Sequence, residues 1–257
     1  MIMHKGYLVF ELTCHLPFIK PDKPFESAEE NWLNDAISHT YLPLLRSLNR
    51  IDADAIPFKL TLTISPTLAS MLADPVLQER FVKYIDSRIE LGEREVIRTA
   101  DDKAKNALAV RYLEQFRQDK RDFTELYGMN ILNGFKTLQK NDRINIITTF
   151  ASHCYLPFFK SYNSNIEAQI YTALSTHNIM FNSNTKGFWL PELGYTPGIE
   201  NILKKFKIDY FFTAIHAFLF GGKIPDNGIY APVKVGDSGV YAFCRDLASS
   251  MYVLSQN

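Results

Sequence analysis

Residues 187–215 read GFWLPELGYTPGIENILKKFKIDYFFTAI, and this stretch decides the fold. Gly187 to Glu192 is a bulky apolar run, too short for a helix, and predicts a buried strand. Pro197 to Phe206 has helical spacing with proline near the first helical position. Ile208 to Ile215 is a second apolar, aromatic run and predicts another strand. Strand, short helix and strand in so little chain imply a right-handed crossover and parallel pairing. The first strand also ends oddly. Glu192 closes a run that otherwise reads as buried, and an unpaired buried carboxylate costs several kcal/mol, roughly, so it must be paired, solvated in a cleft, or used.

Working outward, the same alternation extends upstream. RINIITT (143–149) predicts a strand and Asn165 to Ile179 a helix, while Tyr7 to Leu12 and FKLTLTI (58–64) predict two earlier strands. Downstream, a short β pair is expected around Ile229 to Val235 and Val240 to Phe243. Between the first two strands lies a loop punctuated by Pro17, Pro21 and Pro24, then a Ser27–Glu30 capping box opening a helix through Leu48 that Pro43 should kink. From Ser65-Pro66 to about Lys140 the chain carries amphipathic helical stripes such as Val76, Leu77, Phe81, Tyr84, Ile85 and Ile89, which read as scaffold inserted after the second strand. No Gly-rich phosphate loop follows any strand, so a barrel-like parallel sheet is favoured over a nucleotide-binding one.

Composition removes several classes of partner. Lys plus Arg equals Asp plus Glu at 28 each, so no net field draws the chain to nucleic acid or an anionic membrane. No stretch approaches the roughly 20 apolar residues of a membrane span. Cys14, Cys154 and Cys244 are odd in number and widely spaced, which argues against a disulfide framework or a thiol zinc site and for a reducing cytoplasm. Nothing in the sequence speaks to oligomeric state.

In parallel barrels the chemistry gathers at the C-terminal ends of the strands. There the chain places His15 after the first strand, His153 after the third, Glu192 at the end of the fourth and His216 after the fifth. Each residue alone has a bland reading, a structural histidine or a solvated carboxylate; their coincidence on one rim predicts a shared polar cleft. Trp189, Tyr195, Tyr155 and Phe158 are close in sequence, and aromatic faces beside carboxylates suit sugar rings, although Trp189 reads equally well as core.

Five segments, HLPF (15–18), IITTFASHCYLP (146–157), GFWLPELGYTPG (187–198), DYFFTAIHAFLF (209–220) and YAFCRDLASSMYVLS (241–255), resemble glycoside hydrolase family 57 in order and spacing, most closely its 1,4-α-glucan branching enzymes. The resemblance runs over essentially the whole chain. It implies a (β/α)7 barrel acting on α-glucans such as glycogen, amylose or starch by a retaining mechanism with no cofactor or metal. It implies Glu192 as nucleophile, with His15 and His153 lining the donor-sugar subsite; rim position and aromatic character, apart from the resemblance, add Trp189, Tyr195 and His216 as expected substrate contacts. A family 57 α-amylase or 4-α-glucanotransferase is the alternative within the family. A non-catalytic glucan-binding relative, or a metal-dependent polysaccharide deacetylase using these histidines, are the alternatives outside it.

The chain departs from that pattern at three places. Thr13-Cys14-His15 stands where the family has His-x-His, Thr213-Ala214-Ile215 lacks an aspartate, and Leu254 stands in place of a tryptophan. The family's later acid aspartate has no match here, and Asp246 is not promoted to that role. Five parallel strands and a short β pair do not close a seven-stranded barrel, so the expectation is an N-terminal portion, with the remaining barrel and a helical C-terminal domain elsewhere, or an open side covered by a partner.

Overall fold

The computed structural model describes residues 6–19, 27–159 and 161–255; residues 20–26, which hold Pro21 and Pro24 of the expected loop, lie outside them. Two compact units emerge. Residues 1–15, 61–67 and 146–257 make the sheet-bearing unit, and residues 16–60 and 68–145 the helical one.

The strands are β1 (Glu11–Cys14), β2 (Leu60–Ile64), β3 (Ile144–Thr149), β4 (Gly187–Trp189), β5 (Tyr210–Thr213), β6 (Val233–Lys234) and β7 (Tyr241–Cys244). They form one sheet in the order β1-β2-β3-β4-β5-β7-β6, which does not close, leaving β1 and β6 as edges. Pairing is parallel at β1/β2, β3/β4, β4/β5 and β5/β7, and antiparallel only where β6 joins β7. The mixed α/β, mainly parallel architecture is as expected. The terminal β pair is not a separate hairpin, because β7 extends the parallel sheet with Tyr241 opposite Tyr210 and Phe243 opposite Phe212.

Register sorts the side chains. Trp189, Phe212 and Phe243 share one face, and Phe188, Phe211 and Ala242 the other, because residues paired across parallel strands point the same way. The second face carries the larger core: Ile166 and Ile170 of α7 (Asn163–Phe181) and Ile202 and Leu203 of α8 (Ile199–Lys205) pack with buried Phe188 and Phe211. Each such side chain contributes about 1.5–3 kcal/mol by leaving water. The first face holds a smaller aromatic cluster of Ile147, Leu193 and Phe212 with Trp189, Tyr210 and Phe243 around them.

Boundaries moved where local sequence competes with pairing. The first strand was expected over Tyr7 to Leu12, yet the ladder begins where Thr61 N–H donates to Phe10 C=O, and Tyr7, Leu8 and Val9 stay exposed beyond it. Helix α8 starts at Ile199 rather than Pro197, because Gly198 turns the chain with φ 100° just before it. The sheet-bearing unit ends with α9 (Ile215–Leu219) and α10 (Leu247–Leu254), and α10 buries none of its residues.

The helical segments are α1 (Ala28–Ala36), α2 (Leu42–Ala53), α3 (Pro66–Leu72), α4 (Pro75–Arg98), α5 (Lys103–Arg121) and α6 (Leu132–Lys140). Ser27 caps α1 as expected, accepting from Glu30 N–H at 3.2 Å. The expected kink at Pro43 is instead a π-helical turn, Ile37–Tyr41, between α1 and α2. Widening the helix there relieves the clash a proline ring makes with the carbonyl four residues back, at His39. Fully buried Asp119 accepts from Ser38 at 2.6 Å and pairs with Arg46, which also reaches Asp122 at 2.9 Å. Among the described residues no helix is long and apolar enough to cross a membrane.

Candidate active site

Glu192 sits in a turn, not in a strand interior. β4 stops at Trp189, and Pro191–Leu193 form a short 3-10 turn in which Glu192 (φ 52°, ψ 21°) and Leu193 (φ 56°) take left-handed backbone conformations. Non-glycine residues held there cost about 1–3 kcal/mol each and persist only where surroundings fix them. The surroundings do so: Leu193 N–H donates to Leu190 C=O at 2.8 Å, and Leu193 C=O accepts from Thr213 Oγ1 at 3.0 Å, so the end of β5 clamps the turn. Leu193 is driven into the inner aromatic cluster while Glu192 is left exposed. The carboxylate at the end of a buried run is thus solvated, and the strain lies in presenting it.

The two imidazoles come together beside it. His15 follows β1, its Nδ1 2.9 Å from Ser65 Oγ and 3.3 Å from Thr67 Oγ1, with Ser65 N–H donating to Cys14 C=O at 3.0 Å. His153, at φ 55°, is held in the loop after β3, where Gln169 of α7 accepts from Ser152 N–H at 2.9 Å and from Ser152 Oγ at 3.2 Å. The rings stack with centroids 3.8 Å apart and planes 13° from parallel. Two stacked imidazoles resist a shared positive charge. Burial, reinforced by the neighbouring His15, pushes His153 down to about 4. Burial also lowers His15, while the charge of Glu192 pulls it back up, which places that carboxylate within electrostatic reach of His15. Both rings are therefore neutral near pH 7.

Among the described residues the Glu192 carboxylate has no hydrogen-bond partner, and its coupling to His15 is through charge alone. His153 Nδ1 and buried Thr149 Oγ1, at the end of β3, also find no partner among the described residues.

The other predicted residues divide. Trp189 is half-buried on the inner face, 6.0 Å from Phe212, so it belongs to the aromatic cluster beneath the turn. Tyr195 is turned away: its ring stacks on Phe211 at 5.9 Å, on the opposite face, and its hydroxyl donates to Glu200 at 3.2 Å. Exposed His216 stacks on Phe220 at 6.1 Å and makes no contact with the imidazole pair. A cavity of about 380 Å³ lined by Ala151, Cys154, Phe159, Ile166 and Gln169 lies against α7 and includes none of the site residues. Among the described residues, no three His, Cys, Asp or Glu side chains converge as a metal-ligand set.

Sequence reasoning missed Ser65, Thr67 and Gln169, which hold the histidines. A signal existed for Ser65, since it directly follows β2, the same rim position that singled out His15 and Glu192 on their strands.

The model for glycosyl hydrolase family 57 matches residues 9–251, and the chain belongs to that family. It is 28% identical over 249 residues to the 1,4-α-glucan branching enzyme TK1436 of Thermococcus kodakarensis, covering 91% of this chain and 36% of that protein. The crystal structure of TK1436 in complex with glucose and additives aligns with TM-score 0.86 at 26% identity, over 99% of this chain and 50% of that one. The α-amylase AmyC of Thermotoga maritima aligns with TM-score 0.93 at 35% identity, over 98% and 48%. The family 57-type branching enzyme of Pyrococcus horikoshii aligns with TM-score 0.85 at 28% identity, over 96% and 48%. The chain thus spans between a third and a half of the relatives it matches.

Proposed function

We propose that this chain carries the donor-sugar side of a retaining α-glucan active site, with Glu192 as nucleophile and 1,4-α-glucan branching as the reaction. The observation that carries this is the exposed Glu192 carboxylate on a strained strand-end turn, within electrostatic reach of His15, on which His153 stacks. Glu192 attacks the anomeric carbon; the glycosidic C–O bond breaks, and the departing oxygen takes a proton from an acid that no residue of this chain is assigned to supply. The neutral imidazoles offer ring N–H groups and lone pairs to sugar hydroxyls as positive charge develops at the ring carbon. The glycosyl-enzyme ester is then opened by the 6-hydroxyl of a second glucan segment, whose proton returns to the conjugate base of that acid. Trp189 backs the turn from the inner face.

On this reading the chain is the N-terminal part of a larger barrel, with the helical stretch of about 66–140 inserted after β2. The exposed apolar run Tyr7–Phe10 and the unburied helix α10 are surfaces for the remainder to cover. The three free cysteines fit a reducing cytoplasm. Hydrolysis is the second reading, favoured by the likeness to AmyC, and differs only in water replacing the acceptor hydroxyl.

Amylose incubated with the protein and followed by proton NMR separates the outcomes: new α-1,6 anomeric signals support branching, and new reducing ends alone support hydrolysis. Glu192→Gln should lower either by about a thousandfold or more while maltoheptaose binding persists. Turnover unaffected by that substitution removes Glu192 from the role, and a wild-type chain that does not bind maltoheptaose removes the α-glucan reading.

A further inference from the structure

One layer below the imidazole pair, the wall formed by β1 and β2 contains a second carboxyl that the proposed chemistry does not use. Glu11, Thr13 and His15 alternate onto one face of β1, and the parallel register sets Thr61 opposite Glu11 and Thr63 opposite Thr13. The Glu11 side chain runs up the strand to the next layer. Its carboxylate accepts from Thr63 Oγ1 at 2.5 Å and from Thr13 Oγ1 at 3.2 Å to one oxygen and 3.1 Å to the other. Directly above, His15 Nδ1 meets Ser65 Oγ, so the column continues to the rim.

A threonine hydroxyl has a single proton and two lone pairs. Thr13 gives its proton to Glu11 and is itself exposed, so what its hydroxyl can offer a ligand is acceptor capacity only. We propose that Glu11 is a positioning residue of this site: by taking the hydroxyl protons of Thr13 and Thr63 it locks Thr13 Oγ1 as an acceptor, selecting a sugar hydroxyl that donates beneath His15. This rests on the α-glucan reading above and adds a specificity determinant to it.

The surroundings of Glu11 are consistent with such a role. Burial raises its carboxyl above the ordinary value, while hydrogen bonds from Thr63 and Thr13 and the charge of Arg245, beyond β7, draw it down. Cys14, next to Thr13 in β1, is pushed up to about 12 by burial and then by the charge of Glu11, so it stays a neutral thiol.

The test uses maltoheptaose binding by isothermal titration calorimetry on the whole chain. Glu11→Leu and Thr13→Val should each weaken binding about tenfold. The double variant should bind no more weakly than Thr13→Val alone, because both remove the same oriented acceptor. Thr13→Ser, which keeps the hydroxyl, should bind as the wild type does. Unchanged binding in Thr13→Val, or losses that multiply in the double variant, overturns the proposal; Thr13→Val is nearly isosteric, which guards against a Glu11→Leu variant that fails to fold. A second readout needs no ligand. Carboxyl carbon NMR should show Glu11 titrating at higher pH in Thr13→Val than in the wild type, since a hydrogen bond to the charged form is lost. If the wild type binds no maltoheptaose but this shift is seen, the α-glucan reading fails and the locked hydroxyl stands; if the shift is missing, the lock itself fails.

Discussion

Gly187→Ala probes the register that carries Glu192 to the rim. A Cβ at Gly187 would lie 2.5 Å from Tyr210 Cζ and 2.6 Å from both Cε2 and Oη, because the Tyr210 ring lies across the glycine on the neighbouring strand. Favourable carbon contacts lie at about 3.5–4.0 Å, so the ring must retreat by about 1 Å. It has little room. Phe212 stands edge-on at 5.9 Å and Phe243 at 5.6 Å. Overpacking of this kind costs about 1–3 kcal/mol. Replacing a strand glycine by alanine returns about 0.5–1 kcal/mol of backbone entropy, leaving a net loss centred near about 1 kcal/mol and reaching about 2.5 kcal/mol. Urea unfolding should show a lower midpoint at unchanged slope, with melting lowered by about 2–4 °C per kcal/mol. In a Tyr210→Ala background the cost of Gly187→Ala should vanish or change sign, since the obstructing ring is gone. A Gly187→Ala protein as stable as the wild type, or the same cost with and without Tyr210, would refute the β4–β5 register and the placement of Glu192 that follows from it.

Two further outcomes follow from buried polar groups. His177 is buried in α7 and pushed to about 4 by that burial, so between pH 6.5 and 4 the unfolded chain takes up a proton that the folded chain refuses. Stability should rise with pH through this window, by at most about 3 kcal/mol from this residue, and pH-dependent urea titrations should flatten in His177→Leu. In the helical unit, Arg46→Ala leaves fully buried Asp119 with the Ser38 hydroxyl as its one remaining hydrogen-bond donor among the described residues and should cost about 3–5 kcal/mol in urea unfolding. Replacing Arg46 and Asp119 together by leucine should recover most of that loss, whereas equal losses in the single and double variants would argue against the pairing.

Much of this arrangement was legible in the residues. The alternation from Arg143 to Ile215 carries its own periodicity, so β3, α7, β4 and β5 emerge near their true limits, and the Ser27 half of the expected capping box is written locally, whereas the Glu30 carboxylate turns to Arg80 instead. What escaped was set by distant partners. β7 pairs with β5 because β5 presents an unpaired ladder, which the four residues Tyr241 to Cys244 do not encode. The run Tyr7 to Phe10 reads as a strand from propensity, yet the paired ladder starts only at the Phe10 carbonyl, which accepts from Thr61 N–H. At the site, strand-end positions alone selected Glu192, His15 and His153. Where Tyr195 sits was not legible, because face alternation cannot be carried through two consecutive left-handed residues, Glu192 and Leu193, after which its ring stacks on Phe211. Glu11 and Thr63 lie a layer below the rim, where a rule about strand ends does not look.

The central claim is that the Glu192 carboxylate is the group that bonds to the anomeric carbon. A 5-fluoro-α-glucosyl fluoride tests it most directly, because fluoride departs without protonation and the missing acid is not needed, while the ring fluorine slows breakdown of the ester. Incubation with the protein followed by peptide mass spectrometry should find one added fluoroglucosyl group on the peptide containing Glu192, and none in Glu192→Gln. A label on another residue, or no label from a protein that binds maltoheptaose, would contradict the account.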